Sequence, residues 1–206
     1  MSSVYPGSLD AFTAKTDGVD YNLAAHINDL QDAVTAVQTE LGLDPAGSEA
    51  DVVARFNALD ALLTALEQVG ESVLASPFTI SGAAGVYQDT GLSITLPSAG
   101  TYLINANVRS DLTGNAGTSW WINAKLYNST DSADVANSER MVVLTNTTGA
   151  NQQLTAPITV FVTVAASKTI KLYVCRNGTG TPSWTRSNIY SDSNGRTLLS
   201  YHCVAH

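Results

Sequence analysis

The chain has 206 residues, of which 44% are hydrophobic and 14% charged, and its formal net charge is -8. This composition supplies enough apolar side chains for a folded core, which argues against a disordered chain. Its apolar runs are shorter than the roughly 20 residues of a membrane-spanning helix, so no membrane partner is predicted. The first residues lack the basic start and apolar core of a secretory signal, so we expect folding in a reducing cytoplasm.

Acidic side chains are concentrated near the amino terminus. Residues 1–74 hold 12 of the 18 acidic residues and 2 of the 10 basic ones. The remaining cations are scattered along the chain. An acidic segment repels phosphate backbones and scattered cations form no basic patch, so nucleic acid is not a predicted partner.

Residues 1–19 are predicted to form an irregular arm, because Pro6, Gly7 and Gly18 interrupt regular structure. Such arms are mobile unless they are bound. We therefore expect the arm to be held by a neighbouring chain or by a larger particle. The candidate anchor side chains are Tyr5, Pro6, Leu9 and Phe12.

Residues 20–74 are predicted to form a helical coiled-coil stalk, because apolar residues recur at alternating spacings of four and three. The first helix should end at Gly42, and Ser48 with Asp51 resembles a capping box that starts the second. The predicted oligomer seam consists of Leu23, Ile27, Leu30, Val34, Val37 and Leu41, followed by Val52, Phe56, Leu59, Leu63 and Leu66.

Each predicted helix is only about 30 Å long, and isolated helices of this length are marginal in water. Their apolar seams must therefore be buried by association. The spacing allows a hairpin of the two helices within one subunit, or successive coiled-coil segments shared between copies.

Residues 75–206 are predicted to form an all-β head of about eight strands separated by turn clusters. Alternation in residues 92–96 and 102–108 around the turn at 97–100 predicts a hairpin. The other predicted strands cover residues 120–127, 140–145, 152–164, 169–176 and 197–204. The segment 177–196 is predicted to be the longest loop, and long loops on rigid sandwiches often carry binding.

Four aromatic residues are candidates for an interface between heads: Trp120, Trp121, Tyr173 and Tyr201. Adjacent tryptophans project to opposite faces of a strand, so one should enter the core. The other favours an intersubunit contact over a sugar-stacking platform. Cys175 and Cys203 each follow a tyrosine by two residues and are expected to be buried, reduced thiols.

The sequence does not predict an enzyme. It lacks nucleophile-elbow, zinc-protease and phosphate-loop motifs, and its three histidines show no pairing. The head carboxylates have no acid–base spacing, although a glycosidase dyad could still be assembled by the fold. We expect no cofactor and no metal, since no cluster provides the six to eight oxygens that calcium prefers.

Three segments of the head resemble the tumour-necrosis-factor-like jelly roll of complement globular heads: Leu96–Ile104, Trp121–Tyr127 and Thr197–Tyr201. That family is typically trimeric. Residues 5–56 resemble the amino-terminal region of fibre and minor structural proteins of tailed bacteriophages, especially at Tyr5–Phe12, His26–Val34 and Glu40–Gly42. The head lacks the acidic cluster with which the animal family binds calcium.

The two resemblances imply an α plus all-β protein with a coiled-coil stalk and a jelly-roll β-sandwich head. They imply a homotrimeric fibre or decoration on a virion surface, in which the amino-terminal arm binds other virion proteins and the head faces outward. One alternative is host adhesion through a cell-wall glycan. The other is a purely structural capsid or tail component that binds no ligand.

Overall fold

The computed structural model describes residues 16, 24–42, 44–66 and 68–205. The chain divides into two units, Met1–Leu62 and Leu63–His206. Within the described residues, two helices precede eleven strands. They are α1 (Ala24–Leu41), α2 (Val52–Leu66), β1 (Val69–Val73), β2 (Phe78–Thr79), β3 (Gln88–Leu96), β4 (Gly100–Ala116), β5 (Ser119–Asn128), β6 (Ala133–Asp134), β7 (Arg140–Thr145), β8 (Asn151–Val164), β9 (Lys168–Thr179), β10 (Ser183–Ile189) and β11 (Leu198–Ala205).

Local chemistry sets the facing ends of the two helices. Gly42 has a φ of 76° and its amide donates to the Gln38 carbonyl at 3.0 Å, which is the left-handed cap expected after the last helical residue. Asp51 precedes α2, and its Oδ1 accepts from the Ala54 amide at 2.7 Å. Asp51 is therefore the N-cap itself, and the predicted capping box beginning at Ser48 is wrong.

Replacing Asp51 with Ala is expected to lower the stability of α2 by about 1 kcal/mol, because the Ala54 amide loses its acceptor. Circular dichroism should show less helix and an unchanged strand signal. Asp51→Asn keeps an acceptor oxygen and serves as the control. Equal helix content in the alanine variant and the wild type would contradict the cap.

The predicted fold class is wrong in its helical part, because no long coiled-coil stalk is present in the described residues. The helices have only 18 and 15 residues, and the end of the predicted stalk is strand β1. Positive φ angles at Gly42, Asp44 and Gly47 break the chain between the helices. The heptad spacing therefore reflects two short amphipathic helices and not a sustained run of heptads.

The strands form two antiparallel sheets. Sheet I has the strand order β1–β11–β4–β8. The long strand β4 pairs with β11 along the first half of one edge and with β10 along the second half, and β2 pairs with β10. Sheet II has the order β3–β9–β5–β7, and β6 pairs with the end of β5. In the described residues, a six-stranded and a five-stranded antiparallel sheet in this arrangement form a jelly-roll-like sandwich. The sandwich agrees with the resemblance to jelly-roll heads at this coarse level.

The core lies between the two sheets, because one side chain in two along each strand points inward. The inward positions include the fully buried Tyr102 and Ile104 of β4 and Trp120 and Ile122 of β5. Strand β8 pairs with β4 over its whole length, and among the described strands it has no second neighbour. Pro157 lies near the middle of this edge strand.

The predicted hairpin over residues 92–108 is wrong. Its first strand, β3, pairs with β9 in sheet II, whereas its second strand, β4, belongs to sheet I. The turn at 97–100 therefore carries the chain from one sheet to the other. The predicted long loop is also shorter than expected, since β9 continues to Thr179 and β10 pairs with β4.

Candidate interaction surfaces

An exposed apolar row crosses the outer face of sheet I. Val69, His202, Leu103 and Phe161 are successive partners on β1, β11, β4 and β8. Val69 is 62% exposed and Phe161 is 70% exposed, and Val204 beside them is 41% exposed. Strands lie about 4.8 Å apart, so the row spans roughly 14 Å. We call Val69, Leu103, Phe161 and Val204 the apolar row.

Farther along β4, the same outer face is polar. Arg109 lies 3.0 Å from Asp192, and its guanidinium also donates to the Gly195 carbonyl, so it ties the loop after β10 to the sheet. Arg109 holds the pKa of Asp192 below its usual range. Asp111 is fully buried and lies 3.4 Å from Arg186, and its Oδ1 has no hydrogen-bond partner among the described residues. A cleft of about 430 Å³ beside Arg109 is lined mainly by polar groups.

The two tryptophans project to opposite faces of β5, as strand alternation requires. Trp120 is fully buried, and its Nε1 donates to the Ala116 carbonyl at 3.0 Å. Trp121 is half-buried on the outer face of sheet II, where it pairs across strands with Asn177 and Leu144. Only Trp121 is therefore placed where a partner could contact it.

The two candidate tyrosines also lie on different faces. Tyr201 packs against the core, with its ring 5.6 Å from the Tyr102 ring in an edge-on arrangement. Tyr173 lies on the outer face of sheet II and stacks on Tyr127 at 4.6 Å between ring centroids. The structure does not bring Trp121, Tyr173 and Tyr201 into one cluster.

Sequence reasoning missed a repeated Lys-Leu-Tyr on the two central strands of sheet II. Lys125-Leu126-Tyr127 is on β5 and Lys171-Leu172-Tyr173 is on β9. The antiparallel register places Lys125 opposite Tyr173 and Tyr127 opposite Lys171. Two tyrosines and two lysines therefore alternate in a two-by-two block on the outer face. We call these four side chains the tyrosine–lysine block.

The carboxylates of the head do not form an acid–base pair with one another. Asp89 lies 2.6 Å from Lys171, Asp131 lies 2.5 Å from Lys168, and Asp134 lies 2.7 Å from Lys125. Glu139 accepts from the Asn123 amide at 2.9 Å. Lys168 holds the pKa of Asp131 below its usual range, and Asp89 raises the pKa of Lys171. Together with Asp111 and Asp192, every head carboxylate is paired with a basic or amide group.

The cysteines do not form a ligand set. Both are free and buried, and the described residues contain no group of three His, Cys, Asp or Glu side chains placed to hold a metal ion. The Cys175 side chain lies on the outer face of sheet II, where neighbouring side chains cover it, whereas Cys203 belongs to the core. Burial raises the pKa of the Cys175 thiol, which keeps it protonated at neutral pH.

We expect the native protein to react very slowly with a chromogenic disulfide reagent at pH 8, because both thiols are buried and Cys175 is protonated. Denaturation should release two equivalents of colour per chain. Cys203→Ser isolates Cys175 for the same measurement. Rapid reaction of one thiol in the folded protein would contradict this environment.

The predicted oligomer seam lies on exposed helix faces, as far as its residues are described. Ile27 and Val52 are half-buried, and Leu66 is the last residue of α2. Leu23 and the anchor candidates Tyr5, Pro6, Leu9 and Phe12 lie outside the described residues. The exposed seam side chains are Leu30, Val34, Val37, Leu41, Phe56, Leu59 and Leu63.

None of the described helices is long and apolar enough to span a membrane.

No protein-family model and no curated protein matches the chain. Solved structures from infectious bursal disease virus are similar to part of the chain. The structure of the Gt strain shows 19% identity and a TM-score of 0.40, over 67% of this chain and 38% of the other. A mutant VP2 protein in T=1 particles shows 16% identity and a TM-score of 0.37, over 68% and 40%.

The T13 viral particle of the same virus shows 20% identity and a TM-score of 0.36, over 67% of this chain and 36% of the other. The chain thus matches about two fifths of the length of these proteins. Scores and identities this low describe a distant likeness of β-sandwiches and do not define a function for this chain.

Proposed function

We propose that the protein is a structural component of a bacteriophage virion, a homotrimer on the particle surface with its sandwich facing outward. The apolar row on sheet I supports the assembly in this proposal, and the virion role rests on the resemblance of residues 5–56 to phage structural proteins. The row groups its apolar side chains around the exposed His202, and large exposed apolar patches mark sites of association. In the proposed assembly, a second copy of the chain covers the apolar row.

The helices support the same assembly independently of the sandwich. The exposed seam side chains of α1 and α2 have no apolar cover among the described residues. Helices of 18 and 15 residues gain most of their stability from packing of an amphipathic face. Association with the helices of other copies would bury these side chains.

The arm supplies the proposed attachment to the particle. Tyr5, Pro6, Leu9 and Phe12 are its proposed contacts with other virion proteins, by resemblance to phage structural proteins. Three copies of one weak arm contact gain avidity through their high effective concentration. The geometry of the trimer, and not a strong single site, would then hold the protein on the particle.

Light scattering on the full chain tests this proposal. A trimer should show three times the 21.6 kDa mass of one chain. Binding of the protein to particles that lack it, and loss of that binding after removal of residues 1–19, would support attachment through the arm. A monomer at all accessible concentrations would overturn the proposed assembly.

Host adhesion is the second candidate function, and the tyrosine–lysine block on sheet II favours it. Labelled protein that decorates host cells would support adhesion. A protein that binds particles but not cells would support decoration alone.

A further inference from the structure

The outer face of sheet II carries a group of side chains that the proposed assembly through sheet I does not use. Its centre is the tyrosine–lysine block, in which the Tyr127 and Tyr173 rings stack at 25° to each other. All four members of the block are half-buried. The Leu126 and Leu172 side chains between them project to the opposite face, where they are fully buried in the core. The rings are therefore held in place while part of their surface remains open to a partner.

The block is surrounded by paired charges. Asp134 holds Lys125 and Asp89 holds Lys171, one on each side of the two central strands. The Asp134 side chain is 57% exposed and the Asp131 side chain is 45% exposed, so both keep oxygens available to a ligand. Exposed ion pairs contribute little to folding stability. Several of them around one aromatic pair are better explained as oriented hydrogen-bonding groups.

A cleft of about 590 Å³ adjoins the block along β5 and the segment between β6 and β7. Its lining includes Lys125, Asp134, Asn137, Glu139 and Arg140. Clefts of this size accommodate small ligands, and a few convergent polar groups give them specificity. Asp134 is the cross-strand partner of Tyr127, so a carboxylate of the cleft lies beside one ring of the block.

The charges on this face balance, which limits the chemical class of ligand that it could bind. Cations and carboxylates are equal in number: Lys125, Arg140, Lys168 and Lys171 against Asp89, Asp131, Asp134 and Glu139. A polyanion such as nucleic acid would meet as much repulsion as attraction. A neutral ligand with an apolar ring face and many hydroxyls suits both the rings and the surrounding acceptors.

We propose that the outer face of sheet II binds a neutral saccharide, with a pyranose ring on the Tyr127–Tyr173 pair and its hydroxyls bonded to Asp134, Asn137 and Glu139. This site deepens the adhesion alternative and does not depend on the assembly of the apolar row. Its failure would leave the native mass of the protein unchanged, so the two proposals are separable.

The test uses the full chain and isothermal titration with cellobiose, maltose and the N-acetylglucosamine dimer, together with a sulfated heparin disaccharide. At least one neutral sugar should bind. Tyr127→Ala should weaken that binding by about tenfold or more, whereas Tyr127→Phe, which keeps the ring, should retain it. Trp121→Ala removes another aromatic side chain from the same strand and face, about 20 Å from Tyr127, and should leave binding unchanged.

Circular dichroism of each variant verifies that the sandwich is folded. The proposal is overturned if no neutral sugar binds the folded wild type, or if Tyr127→Ala binds as the wild type does. Preferential binding of the sulfated disaccharide would also overturn it, since the site would then recognise charge. Equal losses in Trp121→Ala and Tyr127→Ala would place the ligand elsewhere on the sheet and reject this site.

Discussion

Replacing Phe161 with Glu is expected to weaken the assembly, and so to lower the mass of the protein at a fixed chain concentration, while its fold is retained. Phe161 is 70% exposed in the single subunit, so the charge enters water and costs little in folding. In the proposed trimer the same side chain is buried with the rest of the apolar row. Aromatic residues at the centre of an interface commonly contribute about 2 kcal/mol or more, which is roughly 30-fold in affinity for each contact.

Light scattering at a fixed chain concentration measures the loss of assembly, and thermal unfolding checks the sandwich. Val86→Glu is the matched control, because Val86 is 53% exposed in the segment between β2 and β3, outside the apolar row. Val86→Glu should keep the wild-type mass. An unchanged mass for Phe161→Glu would show that the apolar row is not part of the interface.

The second large effect is expected inside the sandwich, where Gly114→Ala should destabilise the fold by about 3 kcal/mol or more. A Cβ at Gly114 would lie 2.0 Å from Cδ2 of the Trp120 ring. Trp120 is fully buried and its Nε1 is bonded to the Ala116 carbonyl, so the ring has no space into which it can withdraw. Urea unfolding should show the loss as a lower midpoint.

The cause can be separated from general disruption of β4 by a double-mutant cycle. Trp120→Leu alone should cost about 2–4 kcal/mol, because it leaves a cavity in the core. In the double variant Gly114→Ala/Trp120→Leu, the new methyl group occupies part of that cavity. The combined loss should therefore be smaller than the sum of the single losses. Strict additivity would show that the two residues do not compete for the same space.

The local structure of the strands could be predicted from the sequence, but their pairing could not. Alternation in residues 92–96 and 102–108 correctly places the inward side chains of β3 and β4. It contains no information about which distant strand completes each ladder, and both strands pair with segments far along the chain. The turn at 97–100 suits a hairpin and a sheet-to-sheet connection equally well.

The same limit applies to the helices and to the candidate site. A four-three spacing is shared by long coiled coils and short amphipathic helices, and the spacing alone does not distinguish them. The break in the chain after Gly42 is what makes these helices short. In each Tyr-x-Cys pair the two side chains share a face because they are two residues apart on a strand, but the sequence does not say which face. That face points outward at Tyr173 and toward the core at Tyr201.

Strand β8 bounds sheet I, and fourteen residues of its backbone follow that edge. Long edge strands invite the addition of another strand, which leads to open-ended aggregation. Pro157 removes an amide donor near the middle of this strand, so a continuous ladder cannot be extended there. Copies of the chain would then meet through side chains on the faces of their sheets, a mode of contact that can close on itself with a fixed number of subunits.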